Sequence, residues 1–168
     1  YNARATGSNW FALPNGQPDP REAGWDHEGL RNGDPELKNF NLGYNAALPI
    51  SDGLQIYSNG TYGEQDAVIG NNKRRASGDG NILELFPDGY FPTNDIHSED
   101  FQALAGIRSD AGEWKWDIST SLGRNRVEHA SDFTINPSLG PNSPTSFSDL
   151  GAWQNTEWIN NLDISRGY

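Results

Sequence analysis

Several residue types that would direct the chemistry of a small protein are missing from this chain or scarce in it. The 168 residues include no cysteine and no methionine. Without cysteine there is no disulfide framework, thiol nucleophile or thiolate metal site. No apolar run approaches the ~20 residues of a membrane-spanning helix. Lys and Arg number 12 against 23 Asp and Glu, a net charge of -11 that argues against a nucleic-acid surface.

Glycine and aromatic residues are plentiful although the apolar content is low. The chain carries six Trp, six Tyr, seven Phe and 19 Gly. Disordered chains lack aromatics, and no segment of helical period stands out between the Gly and Pro residues. The composition therefore favours one-sided β-strands joined by polar loops. Because a natural chain starts with methionine, we also expect this sequence to be processed or to be a piece of a longer one.

The stretch from Phe101 to His129 shows the strongest pattern, two alternating runs joined by a tight turn. Such period-two alternation is typical of strands with one apolar and one polar face. The turn at 109–113 contains Asp and Gly, which tolerate hairpin backbone angles. The sequence therefore predicts a β-hairpin, with an apolar face made of Phe101, Ala103, Ala105 and Ile107 in its first strand and Trp114, Trp116, Ile118, Thr120 and Leu122 in its second.

The same alternation occurs in three further runs, two before this hairpin and one near the end of the chain. Their apolar faces comprise Phe40, Leu42, Tyr44, Ala46 and Leu48; Leu54, Ile56, Ser58, Gly60 and Tyr62; and Trp158, Asn160, Leu162 and Ile164. The predicted organisation is a loop at 1–35, a hairpin at 36–63, a loop at 64–99, a hairpin at 100–129, a loop at 130–153 and a strand at 154–168.

The connections between the runs alternate between short turns and long loops. In an up-and-down antiparallel meander, all short turns then lie at one end and all long loops at the other. Outer-membrane barrels have this arrangement, with short periplasmic turns and long extracellular loops. The apolar faces of the five runs also contain no Asp, Glu, Lys or Arg. The predicted fold is all-β, an antiparallel meander of about five strands that forms a segment of a large transmembrane barrel.

The predicted faces are not uniform, and a soluble alternative stays open. Ser58, Gly60, Thr120 and Asn160 are poor residues for contact with lipid, and Leu104 and Tyr57 point to the polar side. A soluble antiparallel sheet with one face on a core and one in water gives the same alternation. The alternative prediction is a soluble extracellular β-sandwich that acts as a carbohydrate-binding module.

The order and spacing of six segments resemble the barrel of TonB-dependent outer-membrane receptors. The resemblance extends over nearly the whole chain, although each piece alone is weakly specific. The segments are DPREAGWDHEGLRNGDPELKNFNLGYNAALPI (19–50), YSNGTYGEQDA (57–67), FPDGYFP (86–92), WKWDISTSLGRNRVEH (114–129), SLGPNSPTSFSDLG (138–151) and NLDISRGY (161–168).

The resemblance implies a bacterial outer-membrane receptor of about 22 strands around a plug domain. Its extracellular loops would capture a scarce nutrient, such as a ferric siderophore, cobalamin or a glycan, and a TonB motor would act through the plug. This sequence has no plug and no motor-binding motif, and about five strands are too few to close a barrel of about eight. We therefore expect an internal fragment that self-associates through its apolar face when isolated.

No constellation of residues predicts an enzyme, a cofactor or a metal site. His27, His97 and His129 lie far apart on acidic segments. Such residues could ligate a metal or transfer protons, but they are usually only solvated. A β-rich hydrolase is disfavoured because no paired carboxylates lie in a recognisable strand-end setting.

The candidate ligand contacts are aromatic and basic residues of the long loops. Exposed aromatic rings among polar neighbours suit sugar rings or planar ligands, and arginines suit anionic chelates. The alternative is that the aromatics pack the loops together, which the flanking prolines favour for Phe86 and Phe91. The predicted ligand-binding residues are Trp10, Phe11, Trp25, Arg74, Arg75, Tyr90 and Phe133.

Overall fold

The described residues form one open, antiparallel β-sheet with almost no helix. The computed structural model describes residues 35–167 together with Gln17, Asp19 and Pro20. Six strands follow one another as a meander in the order β1-β2-β3-β4-β5, and β6 also pairs with β4. The strands are β1 (Glu36–Ser51), β2 (Leu54–Gly70), β3 (Thr93–Ser109), β4 (Trp114–Asp132), β5 (Ser146–Phe147) and β6 (Ala152–Arg166).

Both predicted hairpins are present, and their strands are longer than the alternation indicates. β1 and β2 join at Asp52 and Gly53, where the glycine has a φ of 75°, and β3 and β4 join at 110–113. β2 continues to Gly70, and β3 begins at Thr93, inside the segment predicted as a loop. In these extensions apolar and polar residues do not alternate, since Ala67, Val68 and Ile69 are consecutive and Ile96 stands alone, so period-two hydrophobicity does not reveal them.

The chain divides into two compact units. The strand unit comprises, among the described residues, 39–65, 97–127 and 152–167, and it contains both short turns. The loop unit comprises, among the described residues, 35–38, 66–96 and 128–151, and it contains the two long connections. The predicted separation of short turns from long loops is therefore present in the described residues.

The strand unit has no conventional hydrophobic core among its described residues. The buried apolar residues of the described chain are Ala67, Ala76 and Ile135, all in the loop unit. In contrast, every residue of the two edge strands β1 and β6 is exposed. Large apolar side chains of the predicted apolar face are 42–74% exposed, namely Phe40, Leu42, Tyr44, Leu48, Ile56, Phe101, Trp114, Ile118, Leu122, Trp158, Leu162 and Ile164.

On the polar face, a tyrosine spans one strand to reach the next. Tyr57 of β2 donates a hydrogen bond of 2.5 Å to Asp117 of β4. Its ring lies over Gly106 of β3, where a methyl group would overlap the ring. Arg108 lies over the same ring at 5.3 Å and donates to the Gln55 side chain at 2.6 and 2.9 Å. The glycine thus lets one side chain tie three strands together.

We expect Gly106→Ala to lower the free energy of unfolding by about 1–3 kcal/mol, because the added methyl displaces Tyr57 and breaks its bond to Asp117. Gly123→Ala in β4 is the matched control. A side chain there would meet its nearest atom at 3.9 Å, an ordinary contact. Urea unfolding followed by tryptophan fluorescence measures both. Equal stability of the two variants would show that the Tyr57 bridge contributes nothing.

Candidate functional site

The apolar face contains polar groups that are bonded within the face itself. Tyr44 and Ser58 are joined through their hydroxyls at 2.9 Å, and Ser58 donates to the Leu104 carbonyl at 2.8 Å. The Tyr44 ring also covers Gly60, where a methyl group would come within 2.6 Å of it. Ser58 and Gly60 look unsuited to an apolar face, and both are in contact with the Tyr44 side chain.

A second aromatic side chain of the apolar face, Trp158 of β6, also forms a hydrogen bond to a hydroxyl group on the neighbouring strand β4. The Trp158 indole Nε1 donates to the Thr120 hydroxyl at 2.7 Å. Trp158 is 74% exposed, so its ring adds apolar surface while its polar atom is bonded. An unpaired amide or hydroxyl in apolar surroundings costs several kcal/mol, roughly 4–8 on a water-to-hydrocarbon scale. In both pairs the polar atom of an exposed aromatic side chain is therefore hydrogen-bonded.

Charged side chains follow directly after this apolar face within the strand unit. Tyr62, at one margin of the face, donates to Glu64 at 3.4 Å. In β4 the alternation continues past Leu122 to Arg126, which donates to Gln154 of β6 at 3.5 Å. The apolar surface is thus a band with a sharp edge rather than a whole sheet face.

At the short turns, the end of β6 is fastened to the β3–β4 connection. Arg166 forms an ion pair with Glu113 at 2.8 Å and lies over the Trp114 ring at 5.4 Å. The Gly167 amide donates to the Glu113 carbonyl at 2.9 Å. These contacts hold Trp114, which is 54% exposed, at the margin of the band.

A cavity of about 700 Å³ lies in the strand unit, close to these turns. Its lining carries both signs of charge. It includes Arg108, Lys115, Asp117 and Asp163. Such a lining suits water and polar groups rather than an apolar ligand.

In the loop unit, the connection between β2 and β3 is an ordered structure. Arg74 and Tyr90 exchange two backbone hydrogen bonds of 2.7 and 2.8 Å. The Phe86 and Tyr90 rings stack with centroids 4.5 Å apart. Asn81 closes the connection from within by donating to the carbonyls of Ala76 and Phe86 at 3.2 and 2.9 Å.

The structure brings two of the predicted ligand contacts, Arg74 and Tyr90, into direct contact. Arg74 is exposed, whereas Arg75 and Tyr90 are half-buried. Burial raises the pKa of the Tyr90 hydroxyl, and the Arg74 charge partly opposes this rise. Tyr90 therefore packs its own loop with one ring face, which leaves only part of the ring for a ligand.

Phe133 lies in the other long loop and is unusual in its backbone. It is the one non-glycine residue with a positive φ (51°) in the part of the chain that the structure describes. Its ring is 62% exposed. A bulky residue in the left-handed region costs about 1–2 kcal/mol and persists only where its surroundings enforce it. The loop therefore holds an exposed aromatic ring in a strained conformation.

Hydrogen bonds on both sides of Phe133 enforce this conformation. β5 pairs with the end of β4 so that Asp132 lies opposite Ser146, whose hydroxyl donates to the Asp132 carboxylate. Ser131 donates to the Thr93 carbonyl at 2.7 Å. On the far side, the Thr134 amide donates to the Thr145 carbonyl at 3.1 Å.

A pair of carboxyl groups also lies beside this loop, and the ligand-contact analysis of the sequence missed it. Asp95 of β3 lies near enough to Asp132 of β4 for the two carboxyl groups to interact electrostatically. Burial raises the pKa of Asp95, and repulsion from Asp132 raises it further. The Asp95 Oδ1 atom is buried without a hydrogen-bond partner. Only the pairing of β3 with β4 brings these residues together, so no local pattern reveals them.

The remaining predicted contacts, Trp10, Phe11 and Trp25, lie outside the described residues. Within the described ranges, no group of three or more His, Cys, Asp or Glu residues could hold a metal ion. No described helix is both long and apolar enough to cross a membrane. Comparisons with protein-family models, curated proteins and solved structures find nothing that matches this chain.

We expect Phe133→Asn to raise the free energy of unfolding by about 1 kcal/mol, because asparagine tolerates the left-handed region and little packing is lost. Phe147→Asn is the control. Phe147 is half-buried in β5 opposite Ser131, so its replacement should destabilise the protein. Thermal unfolding measures both, and a destabilised Phe133→Asn variant would contradict the claim of strain.

Proposed function

We propose that this chain is a segment of a bacterial outer-membrane β-barrel of the TonB-dependent receptor type. Such a receptor captures a scarce nutrient, such as a ferric siderophore, cobalamin or a glycan, and imports it without catalysing a reaction. The observation that carries the proposal is the exposed apolar band, in which Ser58, Thr120 and Trp158 have hydrogen-bond partners within the sheet. A surface in contact with lipid requires such partners, because the bilayer core offers none.

The dimensions of the band support the proposal. The apolar positions of β1 run from Phe40 to Ile50, and both ends are more than half exposed. At about 3.3 Å per residue this run is about 33 Å long. A strand tilted by about 40° would then cover a height of about 25 Å, the height of the apolar band in outer-membrane barrels.

The margins of the band carry the aromatic residues that such barrels place at the two membrane interfaces. Trp114 lies at the short turns, held by Arg166. Phe40, Phe101 and Trp158 lie at the other margin and are 56%, 42% and 74% exposed. In this proposal the short turns face the periplasm and the long loops face the outside.

The open edges of the sheet also fit a barrel segment. β1 and β6 are fully exposed along their length. Exposed edge strands of this length invite pairing with other strands. We propose that β1 and β6 pair with further barrel strands, and that the plug and the motor contact belong to parts of the receptor outside this chain.

Ligand capture would take place in the loop unit. Phe133 offers a strained, exposed ring, and Arg74 offers a cation beside the Phe86–Tyr90 stack. These groups suit a ligand with a flat apolar surface and some negative charge. Arg75, Trp10, Phe11 and Trp25 stay predicted contacts of the same loops.

The soluble β-sandwich remains the competing proposal, and it requires the apolar face to be covered. In a sandwich, two sheets pack about 10 Å apart over a shared apolar core. The six described strands form one sheet, and the large apolar side chains of its apolar face are exposed. In the membrane proposal lipid covers this face, whereas a sandwich would need a second sheet from outside the described residues to cover it.

We expect Leu162→Arg to prevent stable assembly of the whole protein in the outer membrane. Leu162 is 63% exposed in the apolar band of β6. A charge facing lipid near the midplane costs about 2–4 kcal/mol. Cell fractionation with an antibody to this chain, combined with heat-modifiable migration on gels, measures the assembled fraction.

Asn161→Arg is the matched control, since Asn161 lies next to Leu162 in the same strand with its side chain on the polar face. We expect this variant to assemble as the parent protein does. Recovery of the parent protein as a soluble secreted species would overturn the membrane proposal and favour the sandwich.

A further inference from the structure

The polar face of the strand unit carries hydrogen-bonded pairs of amide side chains at the strand ends away from the short turns. Gln65 of β2 donates from Nε2 to the side-chain oxygen of Asn39 of β1 at 2.8 Å. Asn125 of β4 donates from Nδ2 to the Asp100 carboxylate of β3 at 2.7 Å. Each bond uses one of the two hydrogens of the donating amide. Both pairs are exposed, so each also offers a donor and an acceptor to a ligand.

Strand β6 adds a third pair and an aromatic ring to the same face. Asn155 donates from Nδ2 to Glu157 Oε1 at 3.1 Å. Trp153 lies two residues before Asn155, so the alternation of the strand places both side chains on one face, about 7 Å apart along the strand. Trp153 is 74% exposed. The third pair therefore has an exposed indole ring next to it on the strand.

Two adjoining cavities lie over these pairs, and both belong to the strand unit. Their volumes are about 540 and 490 Å³, and they share three lining residues, Thr61, Asp100 and Asn125. Together they extend across the polar face from Asn39 in β1 to Glu157 in β6, which is about 19 Å at about 4.8 Å per strand. Each volume lies within the roughly 300–1,000 Å³ of ligand sites. We refer to the two cavities together as the amide groove.

Two glycines explain why the amide groove is hollow. Gly63 of β2 lines the first cavity, and Gly123 of β4 lines the second. A methyl group at Gly63 would lie 3.0 Å from the Asn41 side-chain oxygen, whereas one at Gly123 would meet its nearest atom at 3.9 Å. Because neither residue has a side chain, longer polar side chains surround a gap at each position. The gap at Gly123 has room to be filled by a substitution.

The lining of the amide groove is rich in amides and poor in positive charge. Among its described residues, Arg124 is the one Lys or Arg, against three acidic residues, Glu64, Asp100 and Glu157. An anionic chelate would therefore meet net repulsion. The amide side chains outnumber the carboxylates and comprise Asn39, Asn41, Gln65, Gln102, Asn125 and Asn155. A purely cationic ligand would leave the amide N–H groups without an acceptor.

We propose that the amide groove binds a neutral oligosaccharide. A sugar hydroxyl both donates and accepts, so neighbouring hydroxyls of one ring can donate to a carboxylate and accept from the amide beside it. The exposed ring of Trp153 can stack on the apolar face of a sugar ring. The groove is longer than one sugar ring, which suits an oligosaccharide.

The amide groove is separate from the ligand contacts of the loops. Its lining residues belong to the strand unit, whereas Arg74, Tyr90 and Phe133 belong to the loop unit. Among the nutrient classes named above, the groove selects the glycan. That binding in the groove leads to import rests on the function proposed above.

Isothermal titration calorimetry on the whole protein tests the amide groove. The protein is studied in lipid if fractionation recovers it from the outer membrane, and in buffer if it is soluble. The probes are neutral tetrasaccharides of glucose, mannose, galactose and xylose, with ferric citrate as an anionic chelate for comparison. We expect at least one tetrasaccharide to bind with a dissociation constant below about 1 mM.

Variants of the amide groove assign this binding to its residues. Asn125→Ala removes an amide and Gly123→Val fills the second cavity, so each should weaken binding of that tetrasaccharide about fivefold or more. Trp153→Ala should weaken it similarly, while Trp153→Phe keeps a stacking ring and should stay within about twofold of the parent. The matched control is Asn45→Ala, since Asn45 is an exposed amide of the same face that lines neither cavity. This control should bind as the parent does.

Absence of binding by all the tetrasaccharides would overturn the proposal, and it is the result expected if another part of the protein occupies the groove. Binding that is unchanged in both Asn125→Ala and Gly123→Val would also overturn it, as would ferric citrate binding that these variants weaken. None of these results bears on membrane assembly, which the fractionation of the parent protein reports separately. Oligosaccharide binding by a protein recovered in soluble form would support the groove and overturn the receptor proposal alone.

Discussion

The described structure depends on one constraint, an extended apolar sheet face that no other described part of the chain covers. Several polar groups on that face have their hydrogen-bond partner within the sheet. Tyr44, Ser58 and the Leu104 carbonyl form one such chain of bonds, and Trp158 with Thr120 forms another. Because these partners lie on neighbouring strands, they also help to fix the strand register. A slip of one residue would move one partner of each pair to the other face and break the hydrogen bond.

The opposite face of the sheet is polar, and its side chains form hydrogen bonds and ring contacts with one another. There the structure uses longer bridges. Tyr57 spans β3 over Gly106 to reach Asp117, and Arg108 covers the same ring. On each face a tyrosine covers a glycine of a neighbouring strand, which restores the contacts that the missing side chain would have made.

Much of the sheet could be predicted from the sequence, because a one-sided band imposes period-two alternation on each strand that crosses it. The hairpin at Phe101–His129 and its neighbour at 36–63 follow from that signal. The extensions of β2 to Gly70 and of β3 back to Thr93 do not, because their apolar and polar residues do not alternate. The two-residue strand β5 is too short to carry any period.

The candidate site was harder to predict, since its contacts join distant parts of the chain. Aromatic and basic composition indicated Arg74, Tyr90 and Phe133 as loop residues with binding chemistry. It gave no sign that Phe133 has a left-handed backbone or that Tyr90 stacks on Phe86. Asp95 and Asp132 meet only through the β3–β4 pairing.

The most direct test of the account is the environment of alternate positions along β6. Single spin labels at successive positions from 157 to 164, in the whole protein in lipid, report collisions with oxygen, which concentrates in lipid, and with a water-soluble nickel chelate. The account predicts oxygen maxima at Trp158, Asn160, Leu162 and Ile164, and nickel maxima between them. Low values for both reagents at those four positions would show that protein covers the apolar band and would contradict the account.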